Sequence, residues 1–258
     1  AIKLTLHELI YKLKESLRFL RDCFEEKAIE FKDVLKMGRT QLQDAVPMTL
    51  GQEFKTFAVM IDADIFRLRD VQAHLREVNL GATAIGTGIN SKAAYQRKVI
   101  SNLREVTGVD YVAAGDLIEA TQDTGSFVHI SGMLKSVAIK VSKICNDLRL
   151  LSSGPRAGFN EINLPPMQPG SSIMPGKVNP VIPEVVNQVA FEVIGADMTI
   201  AMASEGGQLQ LNVFEPLIAY KLFTSINMMR RAFYSLGEKC VKGITANEDV
   251  CMENILNS

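Results

Sequence analysis

The chain has 258 residues, of which 47% are hydrophobic and 22% are charged, so it can bury a substantial core and is not a disordered protein. Its 28 basic and 29 acidic side chains leave a net charge of −1, which removes the electrostatic case for a nucleic-acid or anionic-membrane partner. Four cysteines without CxxC spacing and three histidines disfavour a disulfide scaffold or a zinc site and indicate a reducing, cytoplasmic compartment.

Helical periodicity dominates the sequence. Apolar residues recur every three or four positions from Leu6 to Leu35, and Thr5 with Glu8 matches a capping box, so the first helix is predicted to begin at Thr5. Thr49 and Gln52 stand at the head of the second predicted helix. The later helices are predicted, in chain order, over about 50–78, from Ser91, and over about 116–151, 183–204, 208–237 and 248–256.

Proline marks the clearest interruption of this pattern. Seven of the nine prolines lie between Pro155 and Pro183, so that stretch cannot be a continuous helix. No alternating run of β-branched residues demands a sheet, and no uninterrupted apolar run reaches membrane-spanning length. The predicted fold is therefore all-α, a bundle of long helices that several chains could share.

Three polar stretches punctuated by glycine or proline stand out as candidates for chemistry. In 38–47, GRTQLQDAVP, the side chains of Thr40 and Gln41 offer hydrogen bonds to an anionic substrate, although a polar helix connection would look similar. In 206–216, GGQLQLNVFEP, buried amides would either brace the fold or face a polar site. Residue types alone do not separate these interpretations.

The third stretch, 170–180, is richer in donors. It reads GSSIMPGKVNP and holds two hydroxyls, the ammonium of Lys177 and the amide of Asn179. A carboxylate substrate needs such charge and such fixed donors, and the start of the following helix would add to the positive field. A solvated loop between helices carries similar chemistry, so composition alone does not decide between the two.

The 170–180 stretch resembles the signature loop of the aspartase/fumarase superfamily, which eliminates a group from succinyl-type substrates to release fumarate or a similar product. The 38–47 stretch resembles the second signature region of that family, and the resemblance continues through most of the chain. It implies that residues 1–258 form the central helical-bundle domain. The N-terminal and C-terminal family domains would be absent or truncated, and the Ser-Ser-Asn signature of the N-terminal domain is not in this sequence.

Within the family, the resemblance is closest to the aspartase branch. Gln41 follows Thr40 where class II fumarases typically have histidine, 183–189 follows the loop as in aspartases, and Glu215 precedes a proline where fumarases usually have lysine. The implied reaction is elimination of ammonia from L-aspartate to give fumarate through an aci-carboxylate. The alternatives are a class II fumarase, which eliminates water from L-malate, and a non-catalytic helical oligomerisation scaffold.

The resemblance also implies roles for individual residues. Ser171 would be the general base that removes the C3 proton, with its alkoxide stabilised by backbone amides and Lys177. The aci-carboxylate would be bound by Thr40, Lys177 and Asn179, and Gln41 would lie beside it.

Two further residues would support this chemistry, Ser172 and Glu184. In fumarases the histidine at the Gln41 position pairs with a glutamate that matches Glu184. Gln41 cannot act as an acid or a base, so that pair cannot transfer a proton here.

The resemblance implies no required cofactor and no metal ligands, although activation by a divalent metal stays open. The implied partners are the small-molecule substrate and three identical subunits, in a homotetramer whose active sites are shared between subunits. No nucleic-acid or membrane partner is expected, and the predicted location is cytoplasmic.

Overall fold

A computed structural model describes residues 1–170, 173–174 and 176–258. In these ranges the chain forms eight α-helices and three small two-stranded sheets, which confirms the predicted all-α class. Five of the helices have 24 to 29 residues. The helices are α1 (Ile2–Glu30), α2 (Leu50–Ala73), α3 (Ala93–Thr107), α4 (Glu119–Gln122), α5 (Gly125–Leu151), α6 (Val181–Glu205), α7 (Glu215–Lys239) and α8 (Glu248–Leu256).

The two predicted helix starts have different outcomes. The prediction that α1 begins at Thr5 is wrong, because the Thr5 amide and hydroxyl both bond to the Ala1 carbonyl and lie inside the first turn. At the start of α2 the prediction is confirmed. The Gln52 amide donates to the Thr49 hydroxyl at 3.1 Å, and the Thr49 amide donates to the Gln52 side chain at 3.0 Å, which is a reciprocal capping box.

Two other helix boundaries differ from the prediction because an acidic or an amide side chain binds the backbone there. The predicted 116–151 helix is interrupted between α4 and α5, where the Asp123 carboxylate accepts the Gly125 amide at 3.0 Å. Helix α7 begins at Glu215 and not at 208, because the Asn212 side chain accepts the Phe214 amide at 2.8 Å and holds the preceding segment in a turn. Short polar side chains compete with the helix for backbone groups in both places.

The expectation of no sheet is wrong for short segments. Strands β1 (Leu35–Thr40) and β2 (Gln43–Thr49) form an antiparallel hairpin, closed by Gln41 and Leu42 at φ values of 53° and 62°. A two-residue turn with positive φ matches the twist of a hairpin but normally signals itself by Asn or Gly, and neither stands here. The other sheets pair β3 (Glu77–Val78) with β4 (Val112–Ala113) and β5 (Ile162–Asn163) with β6 (Thr245–Ala246).

The chain divides into two compact units. Unit 1 comprises Ala1–Lys12, Phe66–Ser136 and Glu192–Asn227, and unit 2 comprises Leu13–Ile65, Val137–Phe191 and Met228–Ser258. Unit 1 contains a core cluster of Val78, Ile100 and Tyr111. Unit 2 contains a phenylalanine cluster with ring centroids 5.3 to 6.0 Å apart, made by Phe24, Phe31, Phe54 and Phe57.

Helix α6 is apolar on more than one face. Among the described residues, α6 is the one helix whose length and composition would allow it to cross a membrane. Core helices of soluble proteins pass the same test. In unit 1 its Ile200 is buried while Ile194, Met198 and Met202 are exposed. The exposed residues recur every four positions, so they form one apolar stripe.

Candidate active site

The described part of the 170–180 loop folds back on itself before α6. A Cβ on Gly170 would lie 3.1 Å from the Lys177 carbonyl oxygen, and Gly170 has a φ of +90°, so the position suits glycine alone. The Lys177 amide donates to the Met174 carbonyl at 3.1 Å, and the Asn179 carbonyl accepts the Val181 amide at 2.9 Å. Lys177 and Asn179 therefore lie directly before the N-terminus of α6. The predicted base Ser171 and its neighbour Ser172 lie outside the described residues.

Lys177 and Asn179 line a cavity of about 550 Å³ in unit 2. The opposite wall comes from the last turn of α5, the loop that follows it and β5. Half of the fourteen lining residues carry polar side chains, namely Arg149, Ser152, Ser153, Asn160, Asn163, Lys177 and Asn179. Two cations among amide and hydroxyl groups make this cavity suitable for a small anion.

An amide cluster fixes the wall at β5. The Asn163 side chain donates to Asn247 at 2.7 Å and to Thr245 at 3.1 Å, and Asn247 donates to the Asn160 carbonyl at 2.8 Å. Because β5 pairs with β6, residues far apart in the sequence hold this wall in place. The sequence analysis did not select these asparagines, since their partners are distant along the chain.

Arg149 is the cavity residue of greatest interest that the sequence analysis missed. It lies in the last turn of α5, and its Nη1 donates to Asn187 Oδ1 at 3.1 Å. Its Nη2 lies 4.0 Å from Glu184 Oε1. The signal available in the sequence was a basic residue three positions before the Ser-Ser-Gly-Pro segment that ends the helix. Glu184, a predicted supporting residue, thus lies beside a cation of the cavity wall.

Asn187 connects α6 to α5 from a buried position. Its Nδ2 donates to the Ser142 hydroxyl at 2.7 Å and to Asn146 Oδ1 at 3.0 Å. With the amide nitrogen occupied by α5, the oxygen is directed at Arg149. Buried amides need such partners, so the orientation of Asn187 is determined by the packing of two helices.

The structure does not bring Thr40 and Gln41 to the cavity. Both side chains are exposed at the turn between β1 and β2, and the described residues that line the cavity include neither of them. Close to the turn, β1 is anchored through Arg39, whose Nη1 lies 2.6 Å from Glu161 Oε1. Of the predicted site residues that are described, Lys177 and Asn179 line the cavity and Glu184 lies beside its Arg149, while Thr40 and Gln41 do not line it.

The 206–216 stretch braces the fold through its one buried amide. The Asn212 side chain donates to the carbonyls of Ala203 and Ser204 at 3.0 and 3.2 Å, at the end of α6, where carbonyls lack helical partners. Gln208 and Leu209 line a second cavity of about 340 Å³ in unit 1, together with Glu119 and Asp123. Asn212 lines this cavity too, so it both braces the end of α6 and faces a polar site.

Unit 1 also holds two histidines side by side. The rings of His74 and His129 are 5.1 Å apart and line a cavity of about 300 Å³ with Glu77 and Asp123. Within the described residues, no three side chains of the metal-binding types are grouped as a metal ion would require.

The fold of long helices and the cavity that Lys177 and Asn179 line can now be compared with known proteins. Residues 1–195 match the family model described as lyase. The chain belongs to this lyase family, which confirms the family resemblance of its signature loop.

Three proteins show the closeness of the relationship. The chain is 62% identical over 258 residues to an aspartate ammonia-lyase of Helicobacter pylori, covering 100% of this chain and 55% of that protein. A Brucella melitensis structure titled fumarate lyase:delta crystallin bound to cobalt has a TM-score of 0.97 and 54% identity, covering 100% and 56%. A class II fumarase of Schistosoma mansoni has a TM-score of 0.95 and 31% identity, covering 98% and 56%. The chain thus spans about half the length of these relatives.

Proposed function

We propose that the chain carries part of the active site of an aspartate ammonia-lyase, which eliminates ammonia from L-aspartate to give fumarate. The observation that carries the proposal is the cavity beside the 170–180 loop, where Lys177 and Asn179 provide a charge and an amide for a carboxylate. The 62% identity to an aspartate ammonia-lyase, against 31% to a class II fumarase, favours ammonia over water as the leaving group.

The proposed reaction is an acid–base elimination. Ser171 removes the C3 proton, and the electron pair of that C–H bond passes into the neighbouring carboxylate, which becomes the aci-carboxylate. Its extra negative charge is stabilised by donors that are already in place, Lys177 and Asn179. The electrons then return to form the C2–C3 double bond as the C2–N bond breaks, and ammonia leaves. Side chains supply all of this chemistry, so no cofactor is part of the proposal.

Active sites shared between subunits are part of the same proposal. Thr40 and Gln41 are exposed at a hairpin turn and do not line the cavity of their own unit, which supports their completing the cavity of a neighbouring subunit. The exposed stripe of α6, Ile194, Met198 and Met202, supports burial of this helix between copies of the chain, in a homotetramer. A cytoplasmic location without nucleic-acid or membrane partners completes the proposal.

The activity is tested on a longer protein, one that contains this chain and is as long as the relatives that the chain matches. Fumarate absorbance is followed with L-aspartate and with L-malate, each with and without added Mg²⁺. We expect the aspartate rate to exceed the malate rate greatly. A faster malate reaction would reassign the protein to the fumarases, and no fumarate from either substrate would favour the non-catalytic scaffold. The two Mg²⁺ arms decide whether a divalent metal activates the enzyme.

Assembly is tested on the 258-residue chain by light scattering, together with the fumarate assay. We expect a tetramer with little or no activity, because the chain lacks the Ser-Ser-Asn signature. Met198→Glu should shift the chain to smaller species, while Glu192→Gln, at an exposed position on the same helix, should not. A monomeric chain would rule out the assembly, and full activity would show that the missing signature is not needed.

A further inference from the structure

We infer that Arg149 is a second cationic ligand for the dicarboxylate substrate, held in position by Asn187 and Glu184. This inference rests on the proposed function and extends it to residues that neither the 170–180 loop nor the 38–47 stretch contains. Its basis is that Arg149 lines the same cavity as Lys177 and Asn179.

The chemistry of the substrate requires more than one cation. A succinyl-type substrate carries two carboxylates, and Lys177 provides a single point charge. A guanidinium presents a planar fork of donors that binds a carboxylate through two parallel hydrogen bonds. Lys177 comes from the segment before α6 and Arg149 from the end of α5, so the two cations reach the cavity from different elements and can bind different carboxylates.

Among the contacts of the described residues, one hydrogen bond orients the guanidinium of Arg149 and leaves donors for a ligand. Asn187 accepts one of its five N–H groups at 3.1 Å. Asn187 is itself held by hydrogen bonds to Ser142 and Asn146, which fix the position of its side-chain oxygen. Glu184 lies 4.0 Å from Nη2, which is beyond hydrogen-bond distance. Glu184 therefore attracts the guanidinium without occupying its donors.

A purely structural role fits the exposure of the pair less well. The Arg149 and Glu184 side chains are 42% and 37% exposed, and ion pairs that open to solvent contribute little to stability. An arginine that bonds to a buried amide and lines a cavity with a second cation suits ligand binding better. This assigns Glu184 a positioning role, consistent with Gln41 being unable to act as its proton-transfer partner.

The test measures binding and turnover in the protein at the length of its relatives, with Arg149→Gln, Arg149→Lys and Glu184→Gln. Lys143→Gln is the control, since Lys143 is on the same helix but pairs with Asp147 at the surface. Succinate serves as the dicarboxylate probe and propionate as the monocarboxylate probe, both by calorimetry. We expect Arg149→Gln to weaken succinate binding by about tenfold or more, the loss of one charge-assisted bidentate contact, and to change propionate binding far less.

The remaining variants separate binding from folding. Arg149→Lys keeps the charge but loses the planar fork of guanidinium donors. Its succinate affinity should fall and its KM for L-aspartate should rise, both by less than in Arg149→Gln. We expect effects of the same intermediate size in Glu184→Gln. If circular dichroism shows that Arg149→Gln is unfolded, the succinate affinity of Arg149→Lys tests the inference in its place. Unchanged succinate affinity in the folded arginine variants would overturn the inference. A wild-type protein that binds succinate through Arg149 but releases no fumarate would overturn the proposed function alone.

Discussion

Lys36 and Glu161 form a buried ion pair in unit 2, with 2.9 Å between Nζ and Oε2 and side-chain exposures of 2% and 0%. Glu53 lies 2.7 Å from the same ammonium, and Arg39 lies 2.6 Å from the other Glu161 oxygen. Two cations, both on β1, and two carboxylates thus balance each other along this strand of the hairpin. This network positions the hairpin whose turn carries Thr40 and Gln41.

Glu161→Gln should lower the free energy of unfolding by about 3–5 kcal/mol, because removing one member of a buried ion pair leaves an uncompensated charge. The double variant Lys36→Met with Glu161→Gln should cost less than the sum of the two single changes. Urea denaturation measures the free energy of unfolding of the single variants and of the double variant. Lys32→Met is the control, since Lys32 pairs with Asp33 at the surface. An unchanged midpoint for Glu161→Gln would contradict the importance of this pair.

Ser171→Ala should reduce kcat by about a hundredfold or more, the scale of a lost general base. Succinate affinity should change far less, because the carboxylate contacts remain. Ser172→Ala is the neighbouring control and should lose less activity. Steady-state kinetics and calorimetry on the protein at the length of its relatives measure these effects. Near-normal turnover in Ser171→Ala would remove this serine from the mechanism.

Lys177→Ala should damage both binding and turnover. In the proposed mechanism the ammonium attracts the carboxylate in the ground state and the more highly charged aci-carboxylate in the transition state, so KM should rise and kcat should fall. Lys242→Ala is a suitable control, because Lys242 pairs with Glu238 at the surface. Kinetics with L-aspartate measure the change. A KM equal to that of the unaltered protein would count against the carboxylate contact.

Glu215→Gln should change how stability depends on pH. Burial raises the pKa of the Glu215 carboxyl above its usual 4.5, although the N-terminus and Lys3 oppose the shift. A raised pKa in the folded state means that the native form binds the proton more tightly. That contribution to stability is present below the unfolded pKa and is lost as the pH rises through the folded pKa. The glutamine variant should therefore melt at a higher temperature than the wild type at pH 7.

The advantage of Glu215→Gln should shrink towards zero at pH 4, where the carboxyl is largely protonated. Melting curves at the two pH values, with Glu105→Gln as an exposed control, measure the difference. A variant less stable than the wild type at pH 7 would show that the attraction of Lys3 outweighs burial.

The four cysteines should be unreactive in the native chain. All four are free and buried, and burial raises the pKa of Cys23 and Cys251 to about 11 and that of Cys240 to about 12. Burial also raises the pKa of Cys145 well above 9.0. Because the thiolate is the reactive form, an aromatic disulfide reagent at pH 8 should label none of them quickly and all four in guanidinium. Rapid labelling of the native chain would show that at least one thiol is accessible.

The long helices could be predicted because their information is local. Apolar residues at spacings of three and four positions determined where the helices lie, and the Thr49–Gln52 pair set one of their starts. The β1–β2 hairpin could not be predicted in this way. Its turn residues, Gln41 and Leu42, carry no turn signal, and its first strand is held by Glu161, which is distant in the sequence.

The same division applies to the candidate site. Residues 170–180 could be selected as a candidate site because they form one contiguous motif, and the structure places two of them, Lys177 and Asn179, at one cavity. Arg149 was not found, because an arginine at the end of a helix acquires meaning only when α5 packs against α6. Asn187 makes that contact and places the guanidinium beside Glu184. The sequence by itself determined the helices and the loop, whereas only the tertiary structure decided which charges share the cavity, since those charges meet through packing between distant segments.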